Sequence, residues 1–149
     1  MRICRYEKDG ALSLGFYYDD TVVPLTRAVA ECHNLVEGVD ALPGETDLLA
    51  LLPHGAHESL ARKVFSFLED NPGARKTLQC STDAVRLLRP LESPGKILLL
   101  AGNYAAHIME GGEQAVARER TFPYVFMKPP TTFNHPEAPI PIPSVSPSH

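Results

Sequence analysis

Two turn signals bracket an alternating stretch near the start of the chain, and they leave little choice of local fold. Lys8-Asp9-Gly10 precedes ALSLGFYY, and Asp19-Asp20 follows it. Between them Leu12, Leu14 and Phe16 alternate with small or polar residues, the period-two pattern of a strand with one buried face. Ile3 to Tyr6 reads as the strand before. Thr21-Val22-Val23 starts the strand after, which Pro24 ends or holds to an edge. The pattern predicts an antiparallel meander.

Helical signals follow. Thr26 is placed to cap a helix over Arg27 to Cys32, and Thr46 to cap a run from Asp47 to Leu52 that Pro53 stops. The clearest helix spans Glu58 to Asp70. Leu60, Val64 and Leu68 share one face, with Ala61 and Phe65 beside them, and Asn71-Pro72-Gly73 ends it. Val85 to Leu88 reads as a strand running into Pro90. Ser93-Pro94-Gly95 then has the composition of a hinge. The class expected is α+β, with a small N-terminal domain of meander and helices over residues 1–92 and a new domain over 93–149.

The second part opens on Lys96 to Leu100, apolar at consecutive positions and therefore expected to be covered on both faces. A short helix from about Tyr104 to Glu110 ends at Gly111-Gly112. Glu113 to Arg120 is polar, a mobile helix or a loop. Tyr124 to Met127 is another short apolar strand. Eight of the 14 prolines fall in residues 121–149, and Ile140-Pro141-Ile142-Pro143 predicts an extended edge segment.

Composition removes several classes of function. The net charge is −4 and the basic residues form no stripe, so nucleic acid is not an expected partner. No run reaches about 18 apolar residues, so no membrane-spanning helix is expected. MRICRYEKDG lacks the apolar core of a signal peptide. Cys4, Cys32 and Cys80 are far apart and odd in number, the usage of reduced thiols in a cytoplasmic protein.

The chemistry-bearing stretch is AGNYAAHIMEGGE. On a helix, positions three apart face the same side, so His107 and Glu110 can touch. A carboxylate beside an imidazole orients the ring and favours its protonated form, which makes the ring a stronger base toward water. The same spacing also describes an ordinary surface pair worth about 0.2–0.5 kcal/mol. Asn103 and Tyr104 stand at the strand–helix junction, where ligand sites commonly open. Lys128, ending the next strand, can offer a cation to a substrate carboxylate. His33, His54, His57 and His135 have no ligand-like partners and read as loop or surface residues. His149 matches no catalytic position.

Three segments in order, Lys96 to Glu110 (KILLLAGNYAAHIME), Val125 to Thr132 (VFMKPPTT) and Ala138 to Pro143 (APIPIP), resemble the fumarylacetoacetate hydrolase family. The likeness is specific over residues 94–149 and loose over 1–90. It implies that residues 93–149 begin a mixed β-roll catalytic domain. It also implies a homodimer acting on a 2-oxo acid: many members cleave a carbon–carbon bond in a diketo acid or acylpyruvate, while others are decarboxylases, isomerases or lyases. By the same resemblance, His107 held by Glu110 activates water. Asn103, Tyr104 and Lys128 bind substrate. Mg²⁺ or Mn²⁺ stabilises the departing enolate.

The resemblance also implies metal ligands in an E-x-E pair and a later aspartate. No E-x-E occurs in this sequence, and Glu137 is the one acidic residue after Lys128. The sequence therefore reads as the front part of a longer protein, incomplete and inactive by itself. The alternative is a non-catalytic relative that binds a 2-oxo acid or dimerises. The apolar strands at 96–100 and 124–127 have few neighbours to cover them, so the chain is expected to self-associate.

Overall fold

The computed structural model describes residues 1–36, 39, 46–101, 104–110, 112, 122 and 124–145, without the side chains of His107 and Glu110. The fold is α+β. It comprises two compact units: Met1–Glu92 with His135–His149, and Ser93–Asn134.

In the first unit β1 (Ile3–Lys8), β2 (Ala11–Tyr18) and β3 (Thr21–Pro24) form the meander. Asp9 and Gly10 both take positive φ, 51° and 76°, the backbone that lets a two-residue hairpin turn follow the twist of its strands. Asp19 takes φ 55° at the second turn. Next come α1 (Leu25–Leu35), a 3₁₀ turn (Leu48–Leu51), α2 (Glu58–Asp70) and α3 (Pro72–Leu78). Two short strands, β4 (Cys80–Ser81) and β5 (Arg86–Leu88), close the unit's curled antiparallel sheet in the order β4-β3-β2-β1-β5.

Register decides which side chains meet. Ile3 lies opposite Phe16 and Arg5 opposite Leu14, so these share a face; Cys4 opposite Gly15 and Tyr6 opposite Ser13 occupy the other. On the first face Leu14, Phe16 and Val23 pack with Leu25, Val29 and Cys32 of α1, Ala61, Val64 and Leu68 of α2, and Leu78 of α3. Arg5 is 5% exposed yet satisfied: Nη1 donates to the Arg89 carbonyl at 3.2 Å and Nη2 to Glu92 Oε2 at 3.0 Å. These bonds fasten β1 to the segment after β5.

The other face is closed over Gly15. A Cβ there would stand 2.5 Å from Val22 Cγ1, 2.9 Å from the Val23 carbonyl oxygen and 3.1 Å from Tyr6 Cε1. The carbonyl belongs to the paired strand and cannot yield without breaking the ladder. Gly15→Ala should therefore destabilise the unit by about 1–3 kcal/mol, the usual cost of overpacking. A lowered urea midpoint with an unchanged slope is the expected reading; an unmoved midpoint would count against this packing.

Several expectations need correction. Thr26 is no cap. Pro24 ends β3 and is itself the N-cap of α1, without a side-chain cap bond, so Thr26 falls inside the first turn. Thr46 gives way to Asp47, whose carboxylate accepts from the Leu49 N–H at 3.0 Å. Asn71-Pro72-Gly73 ends α2 as expected, with Asn71 Nδ2 donating to the Phe67 carbonyl at 2.9 Å, but a further helix follows at once. Pro72 begins α3, where its missing N–H has no helical partner to lose. Residues 140–143 form no strand, because alternate prolines remove the donors a ladder needs.

The second unit holds β6 (Ile97–Ala101), α4 (Ala105–Glu110), β7 (Tyr124–Lys128) and a 3₁₀ turn (Pro130–Thr132). The two strands pair antiparallel as a ribbon. The expected cover on both faces is not found among the described residues. Leu98 is 61% and Leu100 48% exposed, and β7 is exposed at all five positions. A sheet of two strands offers no second layer. The helix or loop expected over Glu113 to Arg120 lies outside the described residues.

Candidate functional site

Strand β6 ends at Ala101, and the chain enters α4 three residues later through Tyr104. The Tyr104 carbonyl accepts from the Ile108 N–H at 3.3 Å, and its ring is exposed. The helix is six residues long, about 9 Å at 1.5 Å per residue. Gly112 stops it: φ +79° turns the chain, and its N–H donates to the Met109 carbonyl at 3.0 Å. His107 and Glu110 both belong to α4, three positions apart. Their side chains, and all of Asn103, lie outside the described residues.

Lys128 stands elsewhere on the ribbon. Ala101 pairs with Tyr124 and Ile97 with Lys128, so four residue steps separate the two pairs. At about 3.3 Å per residue this is roughly 13 Å. The antiparallel register brings Tyr104 and α4 to one end and Lys128 to the other.

No group of three or more His, Cys, Asp or Glu among the described residues could hold a metal ion. The donors present there do not fit the divalent cation that the resemblance implies, and no chemical step is derived through one. His54, at φ 72°, uses its backbone N–H to bond Glu58 Oε2 at 2.8 Å. That bond, with Arg62 second, holds the Glu58 carboxyl below its ordinary range. His135 Nδ1 accepts from the Arg89 N–H at 3.2 Å.

A groove of about 610 Å³ runs between α1 and α2 over the buried Cys32, with Arg62, Lys63, Ser66 and Asn71 along it. Sequence reasoning passed over it. Its residues recur at four-residue spacing on the polar face of α2, which has the same pattern as a solvated helix surface.

The Cys4 thiol is not poised for chemistry. Burial, with Cys80 second, pushes the Cys4 thiol up to about 12 from its ordinary 9.0. Burial and then the bond to Glu69 push the Tyr18 phenol to about 12 from 10.0. The unfolded chain would ionise these groups first, so above pH 9 it binds fewer protons than the folded chain. Stability is full below pH 9 and falls as pH rises toward 12. Urea midpoints should hold steady from pH 7 to 9 and then decline; a flat profile to pH 11 would contradict this.

No helix among the described residues is long and apolar enough to cross a membrane. Neither a protein-family model nor a curated protein matches the chain.

Proposed function

We propose that this is a hydrolase of the fumarylacetoacetate hydrolase type, cleaving a carbon–carbon bond in an acylpyruvate or related diketo acid. Residues 93–149 would then begin its mixed β-roll, and a homodimer in the cytoplasm is part of the reading. The observation that carries it is the run of β6 into α4, which sets His107 and Glu110 three positions apart on one short helix directly beyond the strand end.

Positions so spaced face one side. Glu110 orients the His107 imidazole, and the imidazole takes a proton from water. The hydroxide adds to the acyl carbonyl. The bond between that carbon and the neighbouring methylene breaks, its electron pair leaving as the enolate of pyruvate. The imidazolium returns its proton to the enolate carbon, and the products are pyruvate and a carboxylic acid. Asn103 and Tyr104 contact the substrate at the strand–helix junction. Lys128 binds the substrate carboxylate.

The test is an assay of acylpyruvate loss by the purified chain with Mg²⁺ or Mn²⁺ present. Equal yields of pyruvate and acid would carry the hydrolase reading and overturn the expectation that these 149 residues are inactive by themselves. Release of carbon dioxide instead would mark a decarboxylase. A chain that melts cooperatively and turns nothing over would leave these residues to the alternative, a non-catalytic module that binds a 2-oxo acid or dimerises.

A further inference from the structure

The chain leaves the first unit after Glu92 and returns to it at His135. Both passages are tied to Arg89. Its carbonyl accepts from Arg5 Nη1 at 3.2 Å, and Arg5 Nη2 also holds the Glu92 carboxylate at 3.0 Å. Its N–H donates to Nδ1 of the half-buried His135 at 3.2 Å, a bond across 46 positions of the chain. Arg89 and His135 each precede a proline, Pro90 and Pro136. A proline holds the residue before it extended, and it offers no N–H to replace a lost donor.

We propose that His135 is an acid-sensitive clasp: proton uptake by its ring opens the bond to Arg89 and frees the returning chain at that point, while the outgoing passage stays tied. The two ties differ in chemistry. Arg5 is not deprotonated in proteins, so its bond to the Arg89 carbonyl has no titrating member. Nδ1 of His135 accepts only in the neutral ring, with the proton on Nε2. In the imidazolium both nitrogens donate, and Nδ1–H then faces the Arg89 N–H donor to donor. Histidine is the side chain whose charge changes between pH 5 and 8. The clasp is therefore closed at the upper end of that interval and open at the lower end.

The other charged side chains at this junction are Arg5 from β1, and Arg89 and Glu92 from the segment after β5. Glu137 follows two positions along the returning segment. The carboxylates are the other groups that gain a proton in acid, so the test includes both. The clasp does not depend on the hydrolase reading.

Exchange of the Arg89 amide, followed by NMR at pH 8 and pH 5 and corrected for the intrinsic rate, reads the bond directly. Protection should fall about 2–10-fold in acid, the change that one ordinary hydrogen bond gives. Amides of β2, in the middle of the sheet, should keep theirs. His135→Asn retains an acceptor oxygen close to the place of Nδ1 and does not titrate, so its Arg89 amide should be protected equally at both pH values. His135→Phe has no acceptor and should show the low value at both. Glu92→Gln and Glu137→Gln should leave the wild-type fall in place. Wild-type protection indifferent to pH, a fall that persists in His135→Asn, or full protection in His135→Phe at pH 8 would each overturn the clasp. So would a fall abolished by either carboxylate variant, or one shared by β2, which would mark general unfolding.

Discussion

Phe16→Ala is expected to remove about 3–5 kcal/mol from the first unit, the usual cost of deleting a buried aromatic ring. The ring is fully buried and touches groups from all three layers of its surroundings: Val23 beside it on the sheet, α1 above, and Phe65 of α2 with ring centroids 5.7 Å apart. The walls of the resulting hole belong to a strand and two helices that cannot collapse together without breaking the ladder. Domains of this size are stable by only about 5–15 kcal/mol, so the unit would stand near its unfolding threshold at room temperature. Circular dichroism in urea measures the loss, and Leu49→Ala is the control. Leu49 is equally apolar but 52% exposed, and its truncation should cost less than about 1 kcal/mol. Equal midpoint shifts for the two variants would show that Phe16 is not the centre of the core.

The place of Phe16 is legible in the sequence because its signals are local. Asp9-Gly10 dictates the turn, alternation dictates the face, and the two together set the register with Ile3. Helix α2 was readable for a similar reason, since thirteen residues of one amphipathic period leave no competing pattern. Helix α3 was not: Pro72 and Gly73 are breakers in one context and a helix start in another, and only the neighbouring structure chooses. Strand β4 was harder still. Thr21 pairs with Ser81, a contact between distant parts of the chain that leaves no periodic trace. Strand β5 was legible over Val85 to Leu88, but its pairing with β1, Glu7 opposite Arg86, was not.

The candidate site divides the same way. The order Asn103, Tyr104, His107, Glu110 follows from adjacency along the chain. The place of Lys128 does not, because it depends on which way β7 runs beside β6. Both strands end in residues suited to a ligand site, and sequence order invites placing them at one mouth. The antiparallel register separates them. Likewise, consecutive apolar residues on β6 call for cover, yet hydrophobicity alone does not name what supplies it.

His107→Ala should lower kcat/KM for acylpyruvate cleavage by about 10²–10⁴-fold, the range for removing a general base. The loss should fall on kcat, since water activation is a transition-state contribution and the ring is not needed to hold the ground state. Glu110→Gln should do less. The amide can still orient the imidazole by a hydrogen bond, but it withdraws the charge that stabilises the imidazolium. Combining the two substitutions discriminates the dyad from two surface residues. If Glu110 acts through His107, the double variant is no slower than His107→Ala alone, because the second change removes support for a group already absent. Independent residues would instead multiply their effects. Lys128→Met provides the contrasting signature: a carboxylate anchor should raise KM with kcat nearly unchanged. Steady-state kinetics of these four chains at saturating Mg²⁺ separates base, support and anchor. Additive effects of His107→Ala and Glu110→Gln would dissolve the dyad while leaving β6, α4 and the ribbon as described.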